Sequence, residues 1–155
     1  MKTLIVFYSR SGNTRKVAQA IAAKLGADLE EIIDPKDRSG ALGWMAAGKD
    51  ATFKSATPIK PVEKDPGLYD RVIVGTPVWA FTMASPVRTY LTQHGKGIKQ
   101  AAFFCTLGGS GDKRTFEDMQ GLCGKEPLAT AAILEKDIKK DSFGPAIETF
   151  VQKLS

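Results

Sequence analysis

The sequence predicts an α/β domain built on a parallel sheet with helices on both faces. Four short apolar runs recur along the chain without alternating polar positions, and segments of helical period separate them. Continuous apolar runs are expected when both faces of a parallel sheet are covered. Strands that alternate with helices imply parallel pairing through right-handed crossovers. The chain of 155 residues fits one domain, which we expect to span residues 1–155.

The four apolar runs are interpreted as strands because turn residues bound each of them. They cover residues 4–8, 71–75, 101–106 and 129–134. A fifth candidate, residues 28–33, carries three acidic residues among its apolar ones. That polarity favours a strand at the edge of the sheet.

Four segments between the strands have the apolar period of a helix. They cover residues 13–25, 85–94, 115–122 and 143–154. The first stops at Gly26, and the second has Pro86 in its first turn and Gly95 at its end, which are typical helix boundaries. Prolines and glycines interrupt residues 34–69, where only residues 41–49 could form a helix of any length. The second crossover is therefore expected to be partly irregular.

The charge of the chain does not indicate a nucleic-acid partner. The net charge is +5, but residues 1–75 carry 12 basic and 9 acidic groups and residues 76–155 carry 10 and 8. A nucleic-acid interface would cluster basic residues on one face or in a recognisable motif. We therefore expect a mixed, solvated surface and no nucleic-acid partner.

Neither a membrane segment nor a metal site is predicted. No stretch approaches the ~20 apolar residues of a membrane span, and the run at residues 4–8 is shorter than the roughly 7–15 residues of a signal-peptide core. Cys105 and Cys123 are the only cysteines, and they form no CxxC motif and have no histidine nearby. We expect a cytoplasmic protein with two reduced, buried cysteines and no metal.

The loop after the first strand has the composition of a phosphate site. It consists of Ser9, Arg10, Ser11, Gly12, Asn13 and Thr14, immediately before a predicted helix. Unpaired N–H groups converge at a helix N-terminus, and the helix dipole favours an anion there. A simple helix cap would need only one of these polar side chains. The loop lacks the GxxxxGK[ST] spacing of a P-loop and the GxGxxG of a dinucleotide site, so a single terminal phosphate fits best.

Three loops together resemble those of flavodoxins. The strand ending in Tyr8 and the loop at residues 9–14 resemble the phosphate loop of that family. The second loop, similar to the one in which an aromatic residue stacks on the flavin ring, comprises Thr76, Pro77, Val78, Trp79, Ala80 and Phe81. The third, at the place of the family's third flavin loop, comprises Thr106, Leu107, Gly108, Gly109, Ser110 and Gly111.

The resemblance implies a doubly wound, five-stranded parallel sheet of order 2-1-3-4-5 that binds FMN through these three loops. It also implies an electron-transfer protein in which the flavin cycles through semiquinone and hydroquinone, with no catalytic side chain. Trp79 offers the larger stacking surface, and Phe81 is the alternative. Thr76 and Thr106 could donate hydroxyls to the ribityl chain or the phosphate. The glycines of the third loop leave N–H groups uncovered beside the ring.

Two departures from the family pattern bear on function. Many flavodoxins have a tyrosine in the third loop, whereas residues 106–111 contain no aromatic residue. One flavin face could then be open to NAD(P)H or a quinone, which gives the alternative of an FMN-dependent oxidoreductase. Family members are usually acidic, whereas basic residues such as Arg10, Lys113 and Arg114 lie on or beside these loops. We therefore expect acidic redox partner proteins.

Overall fold

Five parallel strands form the centre of the computed structural model, which describes residues 1–35 and 57–155. They are β1 (Thr3–Phe7), β2 (Asp28–Glu31), β3 (Arg71–Trp79), β5 (Ala101–Leu107) and β6 (Thr130–Leu134). A two-residue strand, β4 (Thr82–Met83), pairs antiparallel with the end of β3. The parallel strands are arranged β2-β1-β3-β5-β6. Counting only the parallel strands, this is the predicted order 2-1-3-4-5, which is therefore confirmed.

The helices of the described residues follow the predicted pattern with two differences. They are α1 (Asn13–Leu25), α2 (Ser85–His94), α3 (Asp112–Cys123), α4 (Glu135–Lys139) and α5 (Gly144–Lys153). The bounds of α1 and α2 match the prediction, α3 begins three residues before its predicted start, and the short α4 was not predicted. The helix predicted at residues 41–49 lies outside the described residues. Within residues 1–35 and 57–155, no helix is long and apolar enough to cross a membrane.

Helices cover both faces of the sheet, as the apolar runs predict. On one face, α2 and α3 pack against alternate strand residues such as Val74 and Phe103. On the other, α1, α4 and α5 pack against their neighbours Ile73 and Phe104. The two cysteines are free and buried, which confirms their predicted state, and burial raises the pKa of each thiol.

The third strand is longer than predicted, and this corrects the description of the second loop. The apolar run ends at Gly75, but β3 continues to Trp79 and turns back into β4. Thr76 and Pro77 look like loop residues because proline is rare inside a sheet. They nevertheless lie opposite Cys105 and Thr106 of β5. The predicted loop is therefore a β-hairpin, with only Ala80 and Phe81 at its turn.

A close contact between β3 and β5 explains why residue 75 is glycine. Gly75 lies directly opposite Phe104 in the parallel register. A Cβ atom on Gly75 would lie 2.0 Å from Cζ of the Phe104 ring. The ring occupies the space that a side chain would need, and this contact lies just before the strand residues that reach the site.

Candidate cofactor site

The three predicted loops meet at one edge of the sheet. They follow β1, β3 and β5, which are parallel neighbours, so their carboxyl ends lie side by side. Ligands of open α/β sheets bind at this edge. A small pocket of about 60 Å³ opens there, and it is lined by Arg10, Ser11, Asn13, Thr14, Pro77, Val78, Trp79, Thr106 and Glu135.

In the first loop, Ser9 caps the helix while its neighbours line the pocket. The Ser9 hydroxyl oxygen accepts hydrogen bonds from the N–H of Gly12 (3.0 Å) and of Arg15 (3.2 Å). Gly12 has a φ of 99°, a conformation that favours glycine. The N–H groups of Asn13 and Thr14, in the first turn of α1, have no acceptor within the helix. Ser9 thus has the capping role, and Ser11, Asn13 and Thr14 remain as donors toward an anion.

The two threonines at the strand ends have different surroundings. The Thr106 hydroxyl is 2.8 Å from that of Thr14, and this buried pair joins the end of β5 to the start of α1. The Thr76 hydroxyl donates to the carbonyl of Pro77 (2.8 Å) and accepts from the N–H of Ala84 (3.0 Å). Thr106 therefore borders the pocket, whereas Thr76 is buried and fixes the hairpin to the start of α2.

The two candidate stacking residues, Trp79 and Phe81, lie at different cavities. Trp79 is 8% exposed, borders the small pocket, and meets Tyr8 edge to face with ring centroids 5.5 Å apart. Phe81 is 58% exposed and borders an open cavity of about 520 Å³ together with Gly111, Asp112, Lys113, Arg114 and Glu117. The indole is thus the aromatic surface next to the polar pocket.

The hairpin that carries both rings has an unusual turn and a buried polar anchor. Ala80 and Phe81 have φ values of 49° and 67°, which tight hairpins require but which cost non-glycine residues about 1–2 kcal/mol each. Thr82 donates to Asp118 (2.6 Å) and accepts from the Arg88 guanidinium (3.0 Å). Burial lowers the pKa of Arg88, and the negative charge of Asp118 acts in the opposite direction. These bonds attach the hairpin to α2 and α3.

The third loop divides into a packed part and an open part. Thr106 and Leu107 belong to β5 and are buried. Gly108, Gly109 and Ser110 are exposed. Apart from the adjacent residues in the chain, no atom of the described residues lies within 4 Å of a Cβ built on either glycine. Gly111, with a φ of 106°, packs on the hairpin, because a Cβ there would lie 2.9 Å from Cγ1 of Val78. The open part leaves backbone groups accessible beside the pocket.

Comparison with known proteins identifies the family. The family model described as flavodoxin matches residues 2–150. The chain belongs to the flavodoxin family. A flavoprotein of Lactobacillus acidophilus NCFM, solved in complex with FMN, is 26% identical and has a TM-score of 0.74, covering 90% of this chain and 97% of that one. A flavodoxin from the domain Archaea is 19% identical with a TM-score of 0.54, and each chain is covered completely (100%).

The same flavodoxin fold also forms part of a larger protein. Rubredoxin oxygen:oxidoreductase from Desulfovibrio gigas is 15% identical with a TM-score of 0.55, and the match covers 99% of this chain but 37% of that one. Membership of the family and the FMN complex of the Lactobacillus relative support FMN as the cofactor.

The flavodoxin site contains one residue that the sequence did not indicate. Glu135 directly follows β6 and borders the small pocket beside Asn13, Thr14 and Thr106. The carboxyl end of the fifth parallel strand lies at the same edge as the other three, so its position could have been found by the same reasoning. The segment after β6 has no apolar period, and the sequence therefore predicts neither a helix nor a site residue there.

A charged pair lies beside the first loop, outside the pocket. The Arg15 guanidinium donates from Nε (2.8 Å) and Nη2 (2.6 Å) to the two oxygens of Glu31. The hydrogen bond to Glu31 raises the pKa of Arg15. This pair is locally neutral. Of the lining residues within 1–35 and 57–155, Arg10 is the one cation.

The residues at this edge fit the groups of FMN. A pocket of about 60 Å³ is much smaller than the roughly 300–1,000 Å³ of pockets for larger organic ligands, which suits a phosphate group and not a flavin ring. Ser11, Asn13 and Thr14 supply its donors, and Trp79 supplies an apolar surface at its border. The exposed glycines of the third loop offer uncovered backbone groups to the polar edge of a ring.

Proposed function

We propose that this chain binds one FMN at the carboxyl edge of its sheet and transfers electrons through it. The observation that carries the proposal is the meeting of the three loops around one polar pocket bordered by an indole. In this proposal Ser11, Asn13 and Thr14 hold the phosphate, Thr106 lies beside the ribityl chain, and Trp79 stacks on the ring. Bound flavin would supply one- and two-electron transfer, and the side chains would only bind and orient it.

The exposed charges support a redox partner of acidic character. Arg10, Lys113 and Arg114 are exposed around the two cavities, and the whole chain has a net charge of +5. A positive surface increases the association rate with a negative one. We also propose a cytoplasmic location, which the two free, buried cysteines favour because thiols stay reduced in that compartment.

The open third loop favours a second candidate function, that of an FMN-dependent NAD(P)H or quinone oxidoreductase. Gly108, Gly109 and Ser110 provide no ring to cover the flavin face opposite Trp79. A planar electron donor or acceptor could stack on such a face. The two candidates differ in whether a small molecule exchanges electrons with the flavin directly.

Mixing the FMN-loaded protein anaerobically with NADH or NADPH distinguishes the two candidates. If the chain is a carrier, we expect the visible flavin absorption to persist with either nucleotide and to bleach only when a chemical reductant is added. The chemical reductant is the control that the bound flavin can be reduced at all. Rapid bleaching by either nucleotide would contradict the carrier and favour the oxidoreductase. The same experiment with a quinone and pre-reduced protein tests the other half of the second candidate.

A further inference from the structure

The pocket that suits a phosphate is also lined by an acidic residue. Glu135 lines it together with Ser11, Asn13 and Thr14, although these donors by themselves favour an anion. The backbone of Glu135 is fixed at this edge because the residue directly follows β6 and begins α4. In turn, α4 is attached to α1 by Lys16, whose ammonium donates to the carbonyl of Ile138 (3.3 Å).

A phosphate and a carboxylate in one small pocket repel each other when both are fully ionised. The second pKa of a phosphate ester is about 6, so FMN is mostly a dianion at neutral pH. A phosphate bound in this pocket would have Glu135 at its border, and a neighbouring negative charge favours the singly ionised form of the phosphate. Protonation of the phosphate to a monoanion would halve its charge and reduce this repulsion.

Other charged groups surround Glu135. Arg10 lines the same pocket, and Lys16 is paired with Asp141 (2.8 Å) where α1 packs on α4. Lys136 and Asp137 follow on the same helix, and their opposite charges offset each other. Among the pocket-lining residues that the structure describes, Arg10 is the one cation, and its single charge does not offset a dianion and a carboxylate together.

We propose that Glu135 opposes the dianionic phosphate of FMN and so makes FMN binding dependent on proton uptake by that phosphate. This inference rests on the proposed FMN site and adds a residue that sets its affinity and pH dependence. When the phosphate is a dianion, Glu135 weakens the binding of FMN, and when the phosphate is a monoanion this opposition is smaller. Riboflavin, which has no phosphate, is not affected by Glu135 in this way.

The test compares the dissociation constants of FMN and riboflavin for the wild type and Glu135→Gln between pH 5 and pH 8. We expect E135Q to bind FMN about tenfold more tightly than the wild type at the alkaline end. That ratio should fall at the acidic end, because the phosphate is mostly a monoanion there. Riboflavin should give a ratio near one throughout.

Glu148→Gln is the matched control, since it also removes one negative charge but does so on α5, away from the site. Glu148 is paired with Lys24 in the last turn of α1 (2.8 Å), whereas the site lies at the first turn of that helix. We expect E148Q to bind FMN like the wild type at every pH. Glu135→Ala is the second variant, and it should also tighten FMN binding at the alkaline end.

The outcomes separate this inference from the proposed function. If the wild type binds FMN but E135Q and E135A change FMN and riboflavin affinity equally, or not at all, Glu135 does not oppose the phosphate and the inference is wrong. A constant ratio across the pH range would also overturn it. If the folded wild type takes up no FMN at any pH, the proposed function fails, and this inference fails with it.

Discussion

Replacing Trp79 with alanine is expected to weaken FMN binding by about 10- to 100-fold, which is what the loss of one aromatic stacking partner costs. The FMN that remains bound should fluoresce more strongly, since the indole no longer quenches the ring. Trp79 borders the polar pocket and is held at its edge by Tyr8. Titration of each protein with FMN, followed by flavin fluorescence, measures both effects.

Two further variants test whether W79A acts through lost stacking or through lost stability, and whether Phe81 is the stacking residue instead. Because Trp79 is buried in the core cluster, W79A should also destabilise the fold by about 3 kcal/mol. Trp79→Phe keeps a ring there and should lose less than tenfold in FMN affinity. Phe81→Ala removes an exposed ring at little cost to stability. An effect of F81A larger than that of W79A would assign the stacking surface to Phe81 instead.

Replacing Gly75 with alanine is expected to lower the free energy of unfolding by about 3 kcal/mol, at the upper end of the cost of overpacking. The new methyl group would lie 2.0 Å from the Phe104 ring, which is fully buried. The ring or strand β3 must therefore move, and β3 carries Pro77, Val78 and Trp79 into the site. Urea unfolding at constant m-value measures the change in stability.

The Gly75 prediction has both a rescue and a control. Phe104→Leu removes the ring atoms that the methyl group would meet. The double variant should therefore be at least about 1 kcal/mol more stable than expected if the destabilisations of the two single variants were additive. Gly121→Ala places a methyl group in open space on α3 and should be neutral or stabilise by up to about 1 kcal/mol. Equal stability of G75A and the wild type would show that the contact between β3 and β5 is not restrictive.

The layered fold could be predicted from the sequence because its signals are local. The buried strands are continuous apolar runs, and α1 ends at a glycine that has the left-handed conformation of a helix end. Proline at the start of α2 marks its first turn in the same way. These residues have the same preference in any context, so the pattern of strands and helices follows from them directly.

The hairpin could not be predicted because tertiary contacts stabilise it. Ala80 and Phe81 are poor residues for a turn that needs positive φ at both positions. The turn is instead held by bonds from Thr82 to Arg88 and Asp118, on two separate helices. Residues far apart in sequence supply this stabilisation, and no short-range pattern reports it.

The sequence predicts those parts of the candidate site that lie at the ends of the strands. The first loop, Trp79 and Thr106 border one pocket as the resemblance implies. The capping role of Ser9 and the internal bonds of Thr76 depend on backbone geometry that composition does not reveal. Glu135 was missed because a charged residue after a strand is usually on the surface.

The most direct test of the central claim is a titration of the purified, cofactor-free chain with FMN and, separately, with riboflavin. If the phosphate is held by the first turn of α1, FMN should bind about 100-fold or more tightly than riboflavin, because several charge-assisted hydrogen bonds depend on the phosphate. Equal affinities for the two compounds, or binding of neither, would contradict the account.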